Sequence, residues 1–325
     1  MEIKKHLDVK WDNILLVWFW WFKNMWDELI LLWNIKLLQA QGKRIFIVSQ
    51  DNDWLKAFLS KEIDCSDITF VDELPRWFRS FFRYLRKNRL KQLKLFFKID
   101  TVILWWGEIL TEESPNSYHY RFLSIRPSLF FKKNLYIMWW IQIPQKRLNK
   151  ILFDFLLKKT ERIFCRDFEC VEELKKYWFK NAEFFMDTSY FVRDNWSKYN
   201  QSMDEKYILI NINSNGKHFL DDLKKETKKY IDKWYSCHFV PVCTGWTDDD
   251  NRFFGELKKD FPDIKICKRD DDFEKFLVFL WWAKCVISSR LHLYLISEYI
   301  WLNTINFPYQ KKIFKMQHVV KKLKQ

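Results

Sequence analysis

Tryptophan stands in pairs where this chain most needs to turn. Trp20-Trp21, Trp105-Trp106, Trp139-Trp140 and Trp281-Trp282 each follow, directly or nearly so, a short apolar run. Such runs read as buried strands. The turn after a parallel strand calls for residues that accept positive φ and carry no side chain. Tryptophan is poor on both counts. The numbers agree with the positions. Average usage predicts about 23 glycines in a chain of this length; the sequence has five, at 42, 107, 216, 245 and 255, beside 19 tryptophans. Together the two types number 24, an ordinary glycine count. The reading is that most of these tryptophans are glycine positions, written through a codon that some bacteria translate as glycine and other organisms as tryptophan. The bland reading is a Trp-rich core or a set of aromatic platforms for sugars, but platforms do not come as pairs at strand ends.

The hydrophobic pattern alternates short β-rich runs with longer helical stretches. In the first half, strands are expected at Ile14–Phe19, Arg44–Val48, Ile68–Val71, Thr101–Leu104, Leu135–Met138, Arg162–Cys165 and Ala182–Phe185. Helical patterns lie near Met25–Gln41, Trp54–Leu59, Trp77–Lys94, Gln145–Lys159 and Phe168–Tyr177. The second half repeats the scheme, with strands at Tyr207–Asn211, Cys237–Pro241, Ile264–Cys267, Val286–Ser288 and Thr304–Asn306. Alternation of this kind predicts mostly parallel sheets with right-handed crossovers. The polar stretch Arg193–Lys206 lacks apolar periodicity and reads as a linker. The expected fold is therefore α/β: two doubly wound Rossmann-like domains, residues 1–192 and 207–325, joined by 193–206 and facing across a cleft. Ligands of such sheets bind beyond the carboxyl ends of the strands.

Charge and cysteine usage narrow the setting. Lys and Arg number 56 against 42 Asp and Glu, a formal charge of +14. No recognised nucleic-acid motif accompanies that charge, so no nucleic-acid partner is expected. The longest apolar run, Ile14–Phe22, is too short to span a bilayer, and Lys23–Glu28 offers no small-residue cleavage site for a signal peptide. The seven cysteines are scattered and lack a C-x-x-C pair, which fits buried thiols in a reducing cytosol. Arg76–Lys98 is basic and amphipathic. It reads either as a solvated face or as a peripheral contact with an anionic membrane surface.

Six segments carry candidate chemistry. Trp18–Glu28, read with glycines, is a strand, a glycine-rich loop and a helix start, in which Asn24 orients the loop and Asp27 and Glu28 suit the first helical turn. Val102–Glu108 likewise ends in a small-residue loop, with Trp106, Gly107 and Glu108 at its tip. Ile137–Pro144 forms a third loop. Arg166-Asp167 follows a strand, where a guanidinium fork can hold phosphate or carboxylate or, more plainly, the pair caps a helix. Val286–His292 is the most specific: a strand turns into a helix and delivers Ser289, Arg290, Leu291 and His292 to its start. An anion-binding Arg beside a His is an economical acid/base pair. Asn306–Lys312 ends the last strand and adds a cation.

With glycines restored, these elements resemble the polysaccharide pyruvyl transferase family, in the family's order and over about residues 12–315: G-x-G-G-x-x-N-x-G-D-E, G-G-G-E, R-D, S-S-R-L-H and Y-x-x-K. The resemblance implies a fold similar to the glycosyltransferase-B architecture. It implies transfer of the pyruvyl group of phosphoenolpyruvate onto a sugar, as a ketal, in cell-envelope polysaccharide biosynthesis. By position, Arg290 and Arg166 would bind the donor's phosphate and carboxylate and His292 would be the acid/base. Asn24, Trp26, Asp27, Glu28, Trp106, Gly107, Glu108, Ser289, Leu291 and Lys312 would line the substrates. Gln142 departs from the family's usual glycine. No metal and no cofactor beyond the donor is implied. The acceptor would be a sugar, free or lipid-linked, and the setting cytoplasmic or at the inner face of the membrane. The enzyme alternative is a nucleotide-sugar glycosyltransferase of the same architecture. A third reading, apt if the tryptophans are real, is a binding protein that has lost activity.

Overall fold

The computed structural model of the 325-residue chain describes residues 7–17, 24–49, 51–72, 94, 97–110, 112, 134–199, 206–244, 249–267 and 273–324. Two parallel sheets organise it. The first takes strands β1 (Asn13–Val17), β2 (Arg44–Ser49), β3 (Ile68–Asp72), β4 (Thr101–Leu110), β5 (Asn134–Ile141), β6 (Thr160–Cys165) and β7 (Ala182–Phe184) in the order β3-β2-β1-β4-β5-β6-β7. The second takes β8 (Tyr207–Asn211), β9 (Ser236–Phe239), β10 (Lys265–Ile266), β11 (Val286–Ser288) and β12 (Thr304–Asn306) in the order β10-β9-β8-β11-β12. Every pairing between these described strands is parallel. In both sheets the order reverses beside the first strand, which is the doubly wound Rossmann-like plan.

The reason lies in the strand sequences. β1 (NILLV) and β8 (YILIN) are apolar along nearly their whole length and are buried on both faces. That pattern requires helices above and below. The helices supplied among the described residues are α1 (Met25–Gln39), α2 (Asn52–Leu59), α3 (Arg147–Leu157), α4 (Phe168–Tyr177), α5 (Leu220–Ile231), α6 (Asn251–Asp260), α7 (Phe273–Trp281), α8 (Leu291–Tyr299) and α9 (Lys311–Lys324). In the first sheet Leu15, Val102, Leu135 and Ile163 pack with Phe153, Leu156 and Leu174 of α3 and α4. In the second, Ile208, Ile210, Phe239 and Ile287 pack with Leu223 of α5 and Leu257 of α6.

Several sequence expectations shift. The two compact units are residues 1–20 with 34–187, and residues 21–33 with 188–325. The first two turns of α1 thus join the C-terminal unit. So does the 3-10 stretch Thr188–Tyr199, part of which the sequence assigns to the linker. Burial explains its allegiance: Phe191 lies against Trp33 and Tyr190 against Tyr299. The loops expected after Leu104 and Met138 are instead strand. β4 and β5 stay paired from Thr101↔Asn134 to Leu110↔Ile141, with irregular register around Glu108. Bulges of this kind let extended backbone continue where an exit was expected. Trp106, Gly107 and Glu108 therefore sit within β4. The fourth tryptophan pair closes a helix, because Trp281 is the last residue of α7. Trp18–Lys23 and most of the basic segment Arg76–Lys98 fall outside the described residues.

Candidate functional site

In the C-terminal unit the order of the sheet reverses between β8 and β11, and polar residues gather at the carboxyl ends of those two strands. Ser289 leaves β11 and its amide donates to the Asn211 carbonyl (3.2 Å). The Asn213 amide donates to Ser289 Oγ (3.1 Å), and that hydroxyl donates to Asn213 Oδ1 (2.9 Å). Asn213 Oδ1 also accepts from the Gly216 amide (2.9 Å), and Asn213 Nδ2 donates to Tyr309 Oη (2.9 Å). Gly216 is packed so closely here that a Cβ would come within 2.6 Å of Ser289 Cβ. A small residue is obligatory at that approach. Asn211, Asn213, Ser288 and Ser289 are all fully buried, and their mutual hydrogen bonds are what make a polar floor tolerable there.

Arg290 is the N-cap of α8, with extended backbone (φ −80°, ψ 126°). Its guanidinium donates through Nη2 to Asp250 Oδ1 (2.5 Å) and through Nε to Oδ2 (3.3 Å). Asp250 is fully buried and also accepts from Asn211 Nδ2 (2.9 Å) and the amides of Val242 (3.0 Å) and Cys243 (3.1 Å). Burial pushes its carboxyl above the ordinary value in spite of Arg290. Arg290 is thus held rigidly by the sheet. Asp250 escaped the sequence reading because it follows a stretch with no apolar period; only its place just before α6 hints at it.

The start of α1 completes the group. Asn24 bridges Cys243, and the Met25 amide donates to the Val242 carbonyl (3.2 Å). Asn24 Oδ1 accepts from the Trp26 amide (3.2 Å). The Trp26 indole is buried, 6.5 Å from the His292 ring and 5.7 Å from Phe276 between ring centres, and its Nε1–H has no acceptor. Asp27 keeps slight contact with solvent. Burial is nevertheless the largest influence on its carboxyl and raises it; His292, Asn24, Arg290 and Lys312, in that order, act against the rise. Glu28 is fully buried. Asn24, Trp26, Asp27, Glu28, Ser289, Arg290, Leu291, His292 and Lys312 therefore belong to one unit, and Asp27 feels all three cationic or imidazole groups. Chemically this is a carboxyl and an imidazole suited to moving a proton, beside cations suited to an anion.

Arg166 belongs to the N-terminal unit. It follows β6, is 2% exposed, and donates through Nη1 to Asp187 Oδ2 (3.3 Å). The Trp139 ring lies 5.6 Å from its guanidinium carbon. Its neighbour Asp167 caps α4 by accepting from the Cys170 amide (2.8 Å), which is the plainer of the two roles the sequence offers for the Arg-Asp pair. Trp106, Gly107 and Glu108 belong to this unit as backbone of β4.

Two Rossmann-like domains with wholly parallel sheets define an α/β fold of the glycosyltransferase-B kind. Solved structures of that kind resemble the chain along most of its length. A UDP-N-acetylglucosamine 2-epimerase from Rickettsia bellii matches with TM-score 0.57 and 14% identity, over 91% of this chain and 78% of the other. The UDP-GlcNAc 2-epimerase from Neisseria meningitidis, solved bound to UDP-GlcNAc, gives 0.54 and 10%, over 96% and 90%. A glycosyltransferase from Rickettsia africae gives 0.56 and 14%, over 96% and 89%. At these identities the likeness is one of fold. No protein-family model matches the sequence, and no curated protein matches it significantly. Among the described residues no helix is long and apolar enough to cross a membrane.

Proposed function

We propose that the chain is a sugar-modifying enzyme of the glycosyltransferase-B type that works through a phosphate-bearing donor, most simply a nucleotide sugar. The observation that carries this reading is the convergence of Asp27, Arg290, His292 and Lys312 within one Rossmann-like unit, at the kind of position where such sheets hold ligands. The neighbours in fold, named as enzymes of UDP-sugars and glycosyl transfer, support the donor class. In glycosyl transfer the acceptor hydroxyl bonds to the anomeric carbon as the bond to phosphate oxygen breaks. The hydroxyl proton passes to His292 or Asp27, and the departing nucleoside diphosphate takes the bonding pair beside Lys312. A carboxyl raised by burial, beside an imidazole, supplies the pair of groups that such a proton transfer uses.

One observation favours a second reading, pyruvyl transfer from phosphoenolpyruvate. The segments that resemble that family in sequence, 24–28 and 289–292 with Lys312, meet in space although 260 residues separate the first two. Phosphoenolpyruvate carries about three negative charges and calls for several cations. An acid protonates its methylene carbon, one sugar hydroxyl adds to the adjacent carbon, and a second displaces phosphate to close the ketal. Calorimetry and product analysis with UDP-GlcNAc and with phosphoenolpyruvate, each with a sugar acceptor, separate the readings. Release of a nucleoside diphosphate supports the first and release of inorganic phosphate the second. Binding of neither donor overturns both.

A further inference from the structure

Among the described residues, four that are not glycine have positive φ: Trp139 (93°), Trp178 (114°), Trp234 (65°) and Trp301 (64°). Each is a tryptophan. In that region a Cβ crowds the following carbonyl, and glycine alone adopts it freely.

Three of the four close helices, and they do so in one way. The Trp178 amide donates to the Lys175 carbonyl (3.3 Å) and the Phe179 amide to Leu174 (2.9 Å) after α4. The Trp234 amide donates to Ile231 (2.9 Å) and Tyr235 to Tyr230 (3.2 Å) after α5. The Trp301 amide donates to Glu298 (3.2 Å) and Leu302 to Ser297 (2.9 Å) after α8. The same pair of bonds ends α1, where the residue is glycine: Gly42 (φ 68°) donates to Gln39 (2.9 Å) and Lys43 to Leu38 (3.1 Å). This is the Schellman ending, whose left-handed residue is usually glycine. The indoles supply little packing in exchange. Trp234 is 93% exposed, and Trp301 and Trp178 are exposed too. Trp301 has Lys324 and Arg193 near its ring, and Trp178 touches its chain neighbours Tyr177 and Phe179. Trp139 is the buried case. It sits in β5 with its ring over Arg166, and its Nε1–H finds no acceptor.

We propose that residues 139, 178, 234 and 301 are glycine in the protein as its own organism makes it. Sequence pairs pointed to strand ends; the backbone points to these four positions, three of which are solitary tryptophans. With glycine at 139, nothing of that side chain covers the Arg166 guanidinium.

The test uses the full chain and no donor, so its outcome is separate from that of the proposed function. W178G/W234G/W301G is expected to raise Tm by roughly 2 °C or more per site. W178A/W234A/W301A, which removes the same indoles but keeps Cβ, is expected not to match it. Gly42→Trp is expected to lower Tm by a comparable amount. Equal behaviour of the glycine and alanine variants, or a fall in Tm with glycine, overturns the proposal. Peptide mass spectrometry of protein isolated from its own organism gives the second readout. Glycine masses at 139, 178, 234 and 301 are expected, and an intact tryptophan at these positions overturns it.

Discussion

Arg290 grips Asp250 through two nitrogens, Nη2 at 2.5 Å from Oδ1 and Nε at 3.3 Å from Oδ2, with the carboxylate fully buried. The contact fixes the entry to α8 and so the placement of His292, the second residue of that helix. Asp250→Ala would leave the guanidinium and three further donors without their acceptor. Breaking such a pair from one side costs about 3 kcal/mol or more. Urea unfolding of the variant is expected to show a loss of that order, and a loss under about 1 kcal/mol would mean that the pair behaves as a surface one.

The same contact changes how the site should be probed. Replacing Arg290 disturbs Asp250, so weak donor binding in Arg290→Ala would be ambiguous. Lys312 is half-buried and is not among the hydrogen-bond partners of Asp250, so replacing it leaves that contact in place. Lys312→Ala is expected to weaken donor binding in calorimetry. His292→Ala is expected to lower turnover about 100-fold or more with a smaller change in donor affinity. Unchanged turnover would remove His292 from its proton-moving role.

Asp27 and Asp250 both have carboxyls raised by burial. Below about pH 4 folded and unfolded chains alike hold these protons. Above it the unfolded chain loses them first, so the folded state binds more protons and stability falls as pH rises, until the folded groups ionise as well. Asp27→Asn is expected to flatten part of that decline in urea titrations carried upward from about pH 4. A variant whose profile parallels the parent's would show that Asp27 ionises normally.

Gly216→Ala places a Cβ 2.6 Å from Ser289 Cβ and 2.7 Å from its hydroxyl. Overpacking of this kind costs about 1–3 kcal/mol, and here it also displaces the residue before Arg290. Lower Tm together with weaker donor binding is the expected result. Ser289→Gly in the same chain is expected to restore part of the stability, since it removes the two nearest colliding atoms and leaves Asn213 Oδ1 at 2.9 Å.

Burial pushes the Cys237 thiol up to about 12 and raises Cys165 as well. Thiol reagents act on thiolates. At pH 8 the native protein is expected to label first at Cys65 and Cys267, which are only partly buried. Rapid labelling of Cys237 without denaturant would show that β9 opens.

Much of this architecture was legible from the chain. Apolar runs bounded by turn-forming or polar residues located the twelve strands found among the described residues, because a strand buried on both faces has no freedom to be polar. The place of Arg290 and His292 was legible because a strand that runs straight into a helix puts its junction residues at the sheet's carboxyl edge. The loops at Trp105–Glu108 and Trp139–Trp140 were misread, since local sequence signals an exit from a strand but not the neighbour that keeps it paired. Asp250 was marked only by its place just before α6, Asn211 only as the end of a strand, and Tyr309 only by the Y-x-x-K segment; none showed its partner. A polar residue in a polar stretch looks the same whether it faces water or a buried guanidinium.

The sequence by itself determined the α/β alternation, the parallel sheets and the excess of tryptophan over glycine, because these depend on periodicity and composition along the chain. Only the tertiary structure decided that Asn24–Glu28 belongs with Ser289–His292 and Lys312, that Arg290 is anchored by Asp250, and that Trp178, Trp234 and Trp301 occupy the same helix-ending position as Gly42. Those are facts about which distant residues share a place and which backbone angles a turn demands. Neither is written in the local order of side chains, because both are set by the packing of elements that the chain brings together only when folded.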